Sequence, residues 1–317
     1  MKELFMIIKK IKFTIFFFLI FFCLQKNSLS FENKIVYKID NEIITTIDIQ
    51  NEINYLIALN PNLKKLNQNE IISISKKSVV RERIKKIEIS NQFKNINFPE
   101  KLLEDLIKNL YLKIGKKNLE EFQEYLKVNN IEYKNVLQKI ETEALWNELI
   151  YLKFSKKIKI NLNKLKEQVN LEKDKEIKSY LMSEIIFEVL KKDRIEKKYD
   201  EIVKSIKING FDNTALKYSI SETSSIGGQL DWINENSLNQ NIKNILSSMK
   251  VNDFTKPITV PGGFLILKIN DIKIQKLETD IDKELEKLIS VNKNTQLNQY
   301  SKIYFNKIKE DIEINEI

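Results

Sequence analysis

An adjacent pair of glycines, Gly227-Gly228, is the feature of this 317-residue chain that most constrains its fold. The chain has only six glycines, and glycine lets the backbone take positive φ angles that other residues avoid. Trp232 follows the pair closely, and we expect it to fill a core. Pro257, whose φ is fixed, suits the start of a strand. These residues therefore predict a turn, a core side chain and a strand.

The residues on both sides of the glycine pair alternate between strand and helix patterns. Tyr180–Leu190 (YLMSEIIFEVL) is rich in strand-forming residues, and Phe264–Ile269 has the same character. The apolar spacing predicts three helices, at Arg194–Ile208, Phe211–Tyr218 and Leu238–Met249. Strands and helices packed into about 100 residues make a small α+β domain.

The N-terminal half is predicted to be mostly helical. Two short extended pieces, Lys34–Asp40 and Glu42–Thr45, should be joined by a tight turn, and Thr45 with Asp48 makes a capping pair for the helix that follows. Helix start and stop residues place further helices at 69–93, 99–115, 118–129 and 133–152. We expect the last of these, which carries Trp146, to be the longest of this half. Short helices with tight connections imply a bundle.

Two later segments also have helical patterns. Leu162–Lys178 is charged and is predicted to be a helical connector into the next unit. After Ile274 the chain becomes helical again and carries two apolar stripes. The first stripe consists of Ile281, Leu285, Leu288 and Ile289, and the second consists of Leu297, Tyr300, Tyr304 and Ile308.

The first 30 residues have the pattern of a secretory signal. A basic stretch through Lys12 precedes the apolar run Phe13–Leu24, and the small residues Ser28 and Ser30 suit cleavage after residue 30. The run is shorter than the roughly 20 apolar residues of a spanning helix. Retention as an uncleaved anchor is the alternative. Cys23 is the only cysteine, so a cleaved chain would have no disulfide.

Composition excludes several classes of function. The formal net charge is +9, but five of the 53 basic residues and only one of the 44 acidic residues lie in the first 30, so the rest is nearly balanced. Basic and acidic residues alternate without the dense basic runs of a nucleic-acid surface. With no histidine and one cysteine, a metal site is not expected. Gly227-Gly228 lacks the spacing of a nucleotide loop, and we expect no cofactor.

The stretch from Ile226 to Ile269 resembles a parvulin-type prolyl isomerase domain. It shares the Gly-Gly-x-Leu-x-Trp turn and the segment PITVPGGFLILKIND at Pro257–Asp271. Over nearly the whole chain the order of segments resembles the SurA family of periplasmic chaperones, with Lys34–Asp48 as the opening strand pair and helix, and Tyr304–Ile317 as the closing helix and strand. The chain departs from fuller members of that family, which carry two parvulin-like units, in having one.

The resemblance implies an α+β fold with a helical chaperone domain at 31–174, a parvulin-like antiparallel-sheet domain at 175–275 and a C-terminal segment, 276–317. The first 30 residues would be the signal. In the family the C-terminal helix returns to complete the N-terminal helical core. The expected location is the periplasm.

The resemblance also implies site residues. The proline-ring pocket falls on Leu230, Leu238 and Ile242, which are still apolar. The polar cluster, which in the family contains two histidines, falls on five positions: Glu184, Ser221, Val260, Gly262 and Leu265. Glu184 and Ser221 are the candidate catalytic pair. Leu265 cannot donate or accept a hydrogen bond, so we count it with the apolar substrate-binding residues.

Two functions from different classes follow. The first is binding: an exported chaperone that holds extended apolar segments of unfolded outer-membrane proteins. The second is catalysis: a peptidyl-prolyl cis-trans isomerase that acts on proline-containing peptides with a reduced polar set. A third, a scaffold for assembling envelope proteins, has no sequence feature in its favour.

Overall fold

Two separate sheets and a set of packed helices organise the chain from Ile35 to Ile317. The computed structural model describes residues 33–93, 99–172, 176–189, 194–276 and 281–317. The predicted signal at 1–30 lies outside these described residues, as does Leu190 at the end of one predicted strand. Within the described ranges, no helix combines the length and apolar character needed to cross a bilayer.

The first sheet joins residues 35–45 to residues 314–316. Strands β1 (Ile35–Ile39) and β2 (Glu42–Thr45) pair antiparallel, and β7 (Ile314–Glu316) pairs with the other side of β1. The predicted tight turn is confirmed, with Asp40 at φ 47°. The predicted capping pair is also confirmed, because the Thr45 backbone N–H donates to Asp48 Oδ2 at 2.7 Å and the Asp48 N–H donates to Thr45 Oγ1 at 3.3 Å.

The described part of the N-terminal half contains these α-helices: α1 (Thr46–Leu59), α2 (Gln68–Gln92), α3 (Glu100–Lys113), α4 (Leu119–Val128), α5 (Tyr133–Phe154) and α6 (Leu162–Glu172). The expectation that the helix from Tyr133 is the longest of this half was wrong. Helix α2 has 25 residues and α5 has 22. Helix α2 packs against both α1 and α5, and it carries buried residues from Ile74 to Ile89, so most of its length has a partner.

The C-terminal helix α10 (Ile281–Asp311) completes the helical core. Trp146 on α5 donates through Nε1 to Ser301 Oγ at 2.8 Å, and its ring stacks on Tyr304 with centroids 5.9 Å apart. The second apolar stripe of α10 is therefore buried against α5, as the resemblance implied.

The first apolar stripe of α10 packs against a different helix, α6. Leu288 packs with Leu165 and Val169 of α6. The segment Leu162–Lys178 is thus more than a connector, and its helical prediction was wrong at Glu176–Lys178, which belong to the next strand.

Residues 176–276 form the second sheet with its own helices, and we call this part the sheet unit. Its strands are β3 (Glu176–Phe187), β4 (Gln229–Asn234), β5 (Ile258–Val260) and β6 (Gly263–Lys276), antiparallel in the order β4-β3-β6-β5. Its helices are α7 (Ile195–Asn209), α8 (Phe211–Tyr218) and α9 (Gln240–Ser247). Together with the helical N-terminal half, this sheet confirms the expected α+β fold class.

Strand β6, the last strand of the second sheet, is longer than its sequence pattern indicated. Strand β6 extends to Lys276 instead of ending at Ile269, because it pairs with β3 along the whole length of that strand. The prediction that the chain turns helical directly after Ile274 was therefore wrong, because Gln275 and Lys276 still belong to β6. Helix α10 is described from Ile281.

The two faces of this sheet pack against different helices. On one face, Ile185, Phe187 and Ile266 are buried under α7 and α8, and we call it the α7–α8 face. On the other, the α9 face, Ile186 and Leu265 pack with Leu246 of α9. Side chains alternate between faces along a strand, which places Glu184, two residues before Ile186, on the α9 face.

Trp232 does not fill a core as we expected. It lies on the edge strand β4 and is 38% exposed. Its ring is covered by the Lys273 ammonium, which lies 4.4 Å from the ring centroid. An edge strand has a neighbour on one side only, which leaves room for water beside a large ring.

Candidate functional site

The four apolar residues implied for the substrate pocket lie in one cluster on the α9 face. Leu265 belongs to its buried part and is 7% exposed. Leu230 on β4, Leu238 before α9 and Ile242 in α9 pack against it and are half-buried. The structure therefore brings together side chains from β4, from α9 with the residue before its cap, and from β6. Their role in binding a proline ring stays a prediction.

Glu184 and Ser221, the candidate polar pair, are in direct contact. Ser221 Oγ donates to Glu184 Oε1 at 2.6 Å, and Thr223 Oγ1 donates to the same oxygen at 2.9 Å. Ser221 is fully buried. Thr223 was not among the predicted site residues. The signal that could have found it is the Ser-x-Thr spacing, since Ser221 caps a 3₁₀ turn at Glu222–Ile226 by accepting from the Thr223 N–H at 3.1 Å.

Hydrogen bonds to the backbone of β3 fix the loop that carries Ser221. The Ile220 N–H donates to Ile186 O at 2.7 Å, and Ser219 Oγ accepts from the Ile186 N–H at 3.0 Å. These contacts hold residues 219–221 alongside the strand. Ser221 is therefore held within reach of Glu184 by backbone geometry as well as by its own hydroxyl.

The glycine pair closes the other side of the site. Gly227 and Gly228 have φ of 74° and 76°, as predicted for the turn. The Glu184 N–H donates to Gly228 O at 2.8 Å, and a Cβ on Gly228 would lie 2.1 Å from Glu184 O. The backbone of Gly228 can approach Glu184 this closely only because glycine has no side chain.

The remaining positions of the implied polar cluster offer no polar side chain. Val260 packs with the apolar cluster, and Gly262 forms the β5–β6 turn with φ 83°. Leu265 lies opposite Ile186 in the β3–β6 pairing. In the described ranges, no group of three or more His, Cys, Asp or Glu side chains is placed to hold a metal ion. The site consists of an apolar floor with one carboxylate and two hydroxyls.

Residues 183–271 match the family described as Rotamase: PPIC-type PPIASE domain. This range includes every residue of the site described above. The chain carries a PpiC-type domain.

Curated relatives extend the similarity beyond this domain. The Chaperone SurA of Buchnera aphidicola subsp. Schizaphis graminum is 26% identical over 286 residues, which cover 87% of this chain and 65% of the relative. The Chaperone SurA of Pseudomonas putida is 23% identical over 163 residues, 49% of this chain and 38% of the relative. The chain thus spans well under half the length of the Pseudomonas relative. The expected resemblance, to a SurA-type chaperone with a parvulin-type domain, is confirmed.

One solved structure comes from work on two SurA-like chaperones of Campylobacter jejuni, the virulence factor PEB4 and the periplasmic protein Cj1289. It aligns over 90% of this chain and 99% of its own length. Its identity to this chain is 16% and the TM-score is 0.34.

One residue outside the PpiC-type domain also touches its site loop. Arg81 of α2 donates through a guanidinium nitrogen to Ser221 O at 3.1 Å and to Ser224 Oγ at 3.3 Å. Arg81 was not among the predicted site residues either. The contact joins residues 140 positions apart, and no local pattern around Arg81 indicates it.

Proposed function

We propose that this protein is an exported chaperone that holds extended segments of unfolded outer-membrane proteins, with the PpiC-type domain as one of its binding surfaces. The observation that carries the proposal is the apolar cluster on the α9 face. Its floor is buried at Leu265, while Leu230, Leu238 and Ile242 are each half-buried at its edge. Half-buried apolar side chains around an apolar floor can bind the side chains of an incoming segment with broad, weak selectivity.

The proposed clients suit such a surface. An unfolded strand-forming segment offers alternating apolar side chains and unpaired backbone groups, which strand-like docking can satisfy. The proposed export rests on the signal pattern of residues 1–30, and the proposed periplasmic location rests on the SurA relatives. We also propose bounds of 175 and 275 for the domain that contains the sheet unit, which strand β6 exceeds by one residue at Lys276.

A second candidate function is isomerisation of X-Pro bonds. Rotation about that bond has a barrier of about 18–20 kcal/mol because amide resonance is lost, and an enzyme lowers it with an apolar seat for the ring and oriented hydrogen bonds around the amide. The contact of Glu184 with Ser221 and Thr223 favours this candidate. Leu265, Val260 and Gly262 count against it, because none of their side chains can hydrogen-bond to the twisted amide.

The holding function is tested by aggregation of a urea-denatured outer-membrane protein after dilution, with and without the chain from residue 31 onward. We expect suppression by the parent chain and its loss in Leu230→Glu, because a charge at the edge of the cluster opposes apolar docking. Leu102→Glu is the matched control, since Leu102 is 47% exposed on α3, away from the cluster. Equal suppression by all three proteins would contradict a role for the α9 face.

The isomerase function is tested separately by exchange NMR on an Ala-Pro peptide. Uncatalysed exchange takes tens of seconds or longer, so even a modest acceleration is measurable. Acceleration that is lost in Leu230→Glu would assign catalysis to this face. Suppression of aggregation without any change in the exchange rate would leave the chain a holding chaperone only.

A further inference from the structure

Glu184 interrupts an apolar row on the α9 face. Met182 and Ile186 stand two residues to either side of it on β3 and point to the same face. Leu267 lies directly opposite Glu184 in the β3–β6 pairing, and Leu265 lies opposite Ile186. These four apolar residues all belong to the buried cluster. A carboxylate at this position loses part of its hydration and therefore needs polar partners.

The protein supplies hydrogen bonds to only one of the two carboxylate oxygens. Ser221 Oγ and Thr223 Oγ1 both donate to Oε1 of Glu184. Among the described residues, no group donates to Oε2, and no lysine or arginine forms an ion pair with Glu184. A carboxylate can accept about four hydrogen bonds, so about half of this capacity is left for a ligand. Glu184 is half-buried, which leaves the carboxylate accessible from the open side of the face.

The position of Glu184 places its charge beside the apolar residues of the candidate site. Strand β3 lies between β4 and β6, so Glu184 stands between Leu230 on β4 and Leu265 on β6. Neighbouring strands are about 5 Å apart, and side chains that point the same way along an extended segment are about 7 Å apart. A segment that docks one apolar side chain on either leucine can therefore bring its next same-facing side chain to Glu184.

We propose that Glu184 makes the α9 face select segments that carry a lysine or arginine in line with their apolar side chains. The inference rests on the proposed binding role of this face and narrows the segments that it takes. A cationic side chain donates to Oε2 and balances the carboxylate charge, and such charge-assisted hydrogen bonds are stronger than neutral ones. An acidic side chain at the same place is repelled by Glu184.

The test uses fluorescent extended peptides of alternating apolar and serine residues. One of the apolar positions is replaced by lysine, by Nζ-acetyl-lysine or by glutamate, so that the replaced side chain faces the same way as its apolar neighbours. We expect the chain from residue 31 onward to bind the lysine peptide about 5-fold more tightly than the acetyl-lysine peptide, and the glutamate peptide most weakly. The preference should shrink at about 0.5 M salt. The formal net charge of the chain is positive, so attraction by the whole molecule would give the opposite order.

Two variants assign the preference to a residue. Glu184→Gln removes the charge but keeps an oxygen that can accept from Ser221 and Thr223, and it should bind the lysine and acetyl-lysine peptides equally. Glu196→Gln is the matched control, since Glu196 is exposed in the first turn of α7, and it should keep the preference. A measurement on the parent needs no variant: the lysine peptide should shift the amide resonances of Glu184 and Gly228 more than the acetyl-lysine peptide does.

The outcomes separate this inference from the function on which it rests. Equal binding of the lysine and acetyl-lysine peptides by the parent, or a preference that survives in Glu184→Gln, overturns the inference and leaves the binding role of the α9 face intact. Loss of the preference in Glu196→Gln as well would assign it to overall charge and also overturn the inference. If none of the three peptides binds, the proposed binding role itself fails.

Discussion

The two faces of the four-stranded sheet differ in how completely they are covered. On the α7–α8 face, Ile185, Phe187 and Ile266 are at most 1% exposed. On the α9 face the floor is buried, but the edge residues such as Ile242 are only half-buried, and Glu184 accepts hydrogen bonds from the Ser221 and Thr223 hydroxyls. The same two central strands, β3 and β6, build both faces. Alternation along a strand thus separates scaffold from candidate site within a single sheet.

The largest expected effect is on the α7–α8 face. Ile266→Ala should lower the free energy of unfolding by about 2–5 kcal/mol, because it leaves a cavity under α7 and α8. Ile242→Ala is the matched change on the α9 face, and it should cost only about 1 kcal/mol since its side chain is already half-exposed. Amide hydrogen exchange of β3 and β6 measures both. Equal losses would show that the α9 face is as much scaffold as the other.

The next effect concerns the backbone contact that joins β3 to the glycine turn. Gly228→Ala should cost about 3 kcal/mol or more, because its Cβ would lie 2.1 Å from Glu184 O and the backbone there has positive φ. Gly262→Ala is the control: it has a similar φ of 83° with no atom within 4 Å of the added Cβ. It should cost about 1–2 kcal/mol, the backbone term alone.

Thermal unfolding compares the two glycine variants directly. If both lose the same stability, the close approach at Glu184 O is not what requires glycine at position 228. If Gly228→Ala alone is severe, the position of β4 relative to Glu184 depends on this contact.

The sequence predicted best where the signal is local. The β1–β2 turn, the Thr45–Asp48 cap, the bounds of α8 and the positive φ of Gly227-Gly228 all depend on residues within a few positions of one another. Such signals act through hydrogen bonds and backbone preferences that need no tertiary partner.

The sequence predicted least where distant partners decide. The length of β6 follows from its pairing with β3, and the exposure of Trp232 follows from its place on an edge strand. Thr223 and Arg81 reach the candidate site through contacts to Glu184 and Ser221 that span 39 and 140 positions. The family resemblance supplied the positions of Leu230, Leu238 and Ile242, which periodicity alone would have assigned to an ordinary core.

A smaller effect is expected from the polar group on the α9 face. Ser221→Ala should lower stability by about 1–2 kcal/mol, because it removes a hydrogen bond to Glu184 and leaves the Thr223 N–H without its cap. Ser247→Ala is the control, since that hydroxyl is exposed on α9, and it should change little. Urea denaturation measures both variants. No loss in Ser221→Ala would show that the contact with Glu184 contributes nothing to folding and serves the site alone.

The smallest expected effect is a pH dependence on the α7–α8 side, at Asp212 in the first turn of α8. Burial raises the pKa of this carboxyl, and the nearby Lys268 charge lowers it only in part. A folded-state pKa above the unfolded value means that the contribution of Asp212 to stability is fully present below about pH 4 and is lost as pH rises through the folded pKa.

Asp212→Asn lacks this dependence. The stability of Asp212→Asn minus that of the parent should therefore be largest near pH 7 and should fall on acidification toward pH 3. Urea denaturation across this range measures the slope, which is independent of any constant offset from the substitution. A difference that grows on acidification would mean that the folded protein favours the charged carboxylate, and the α7–α8 side would then be more polar around Asp212 than its packing indicates.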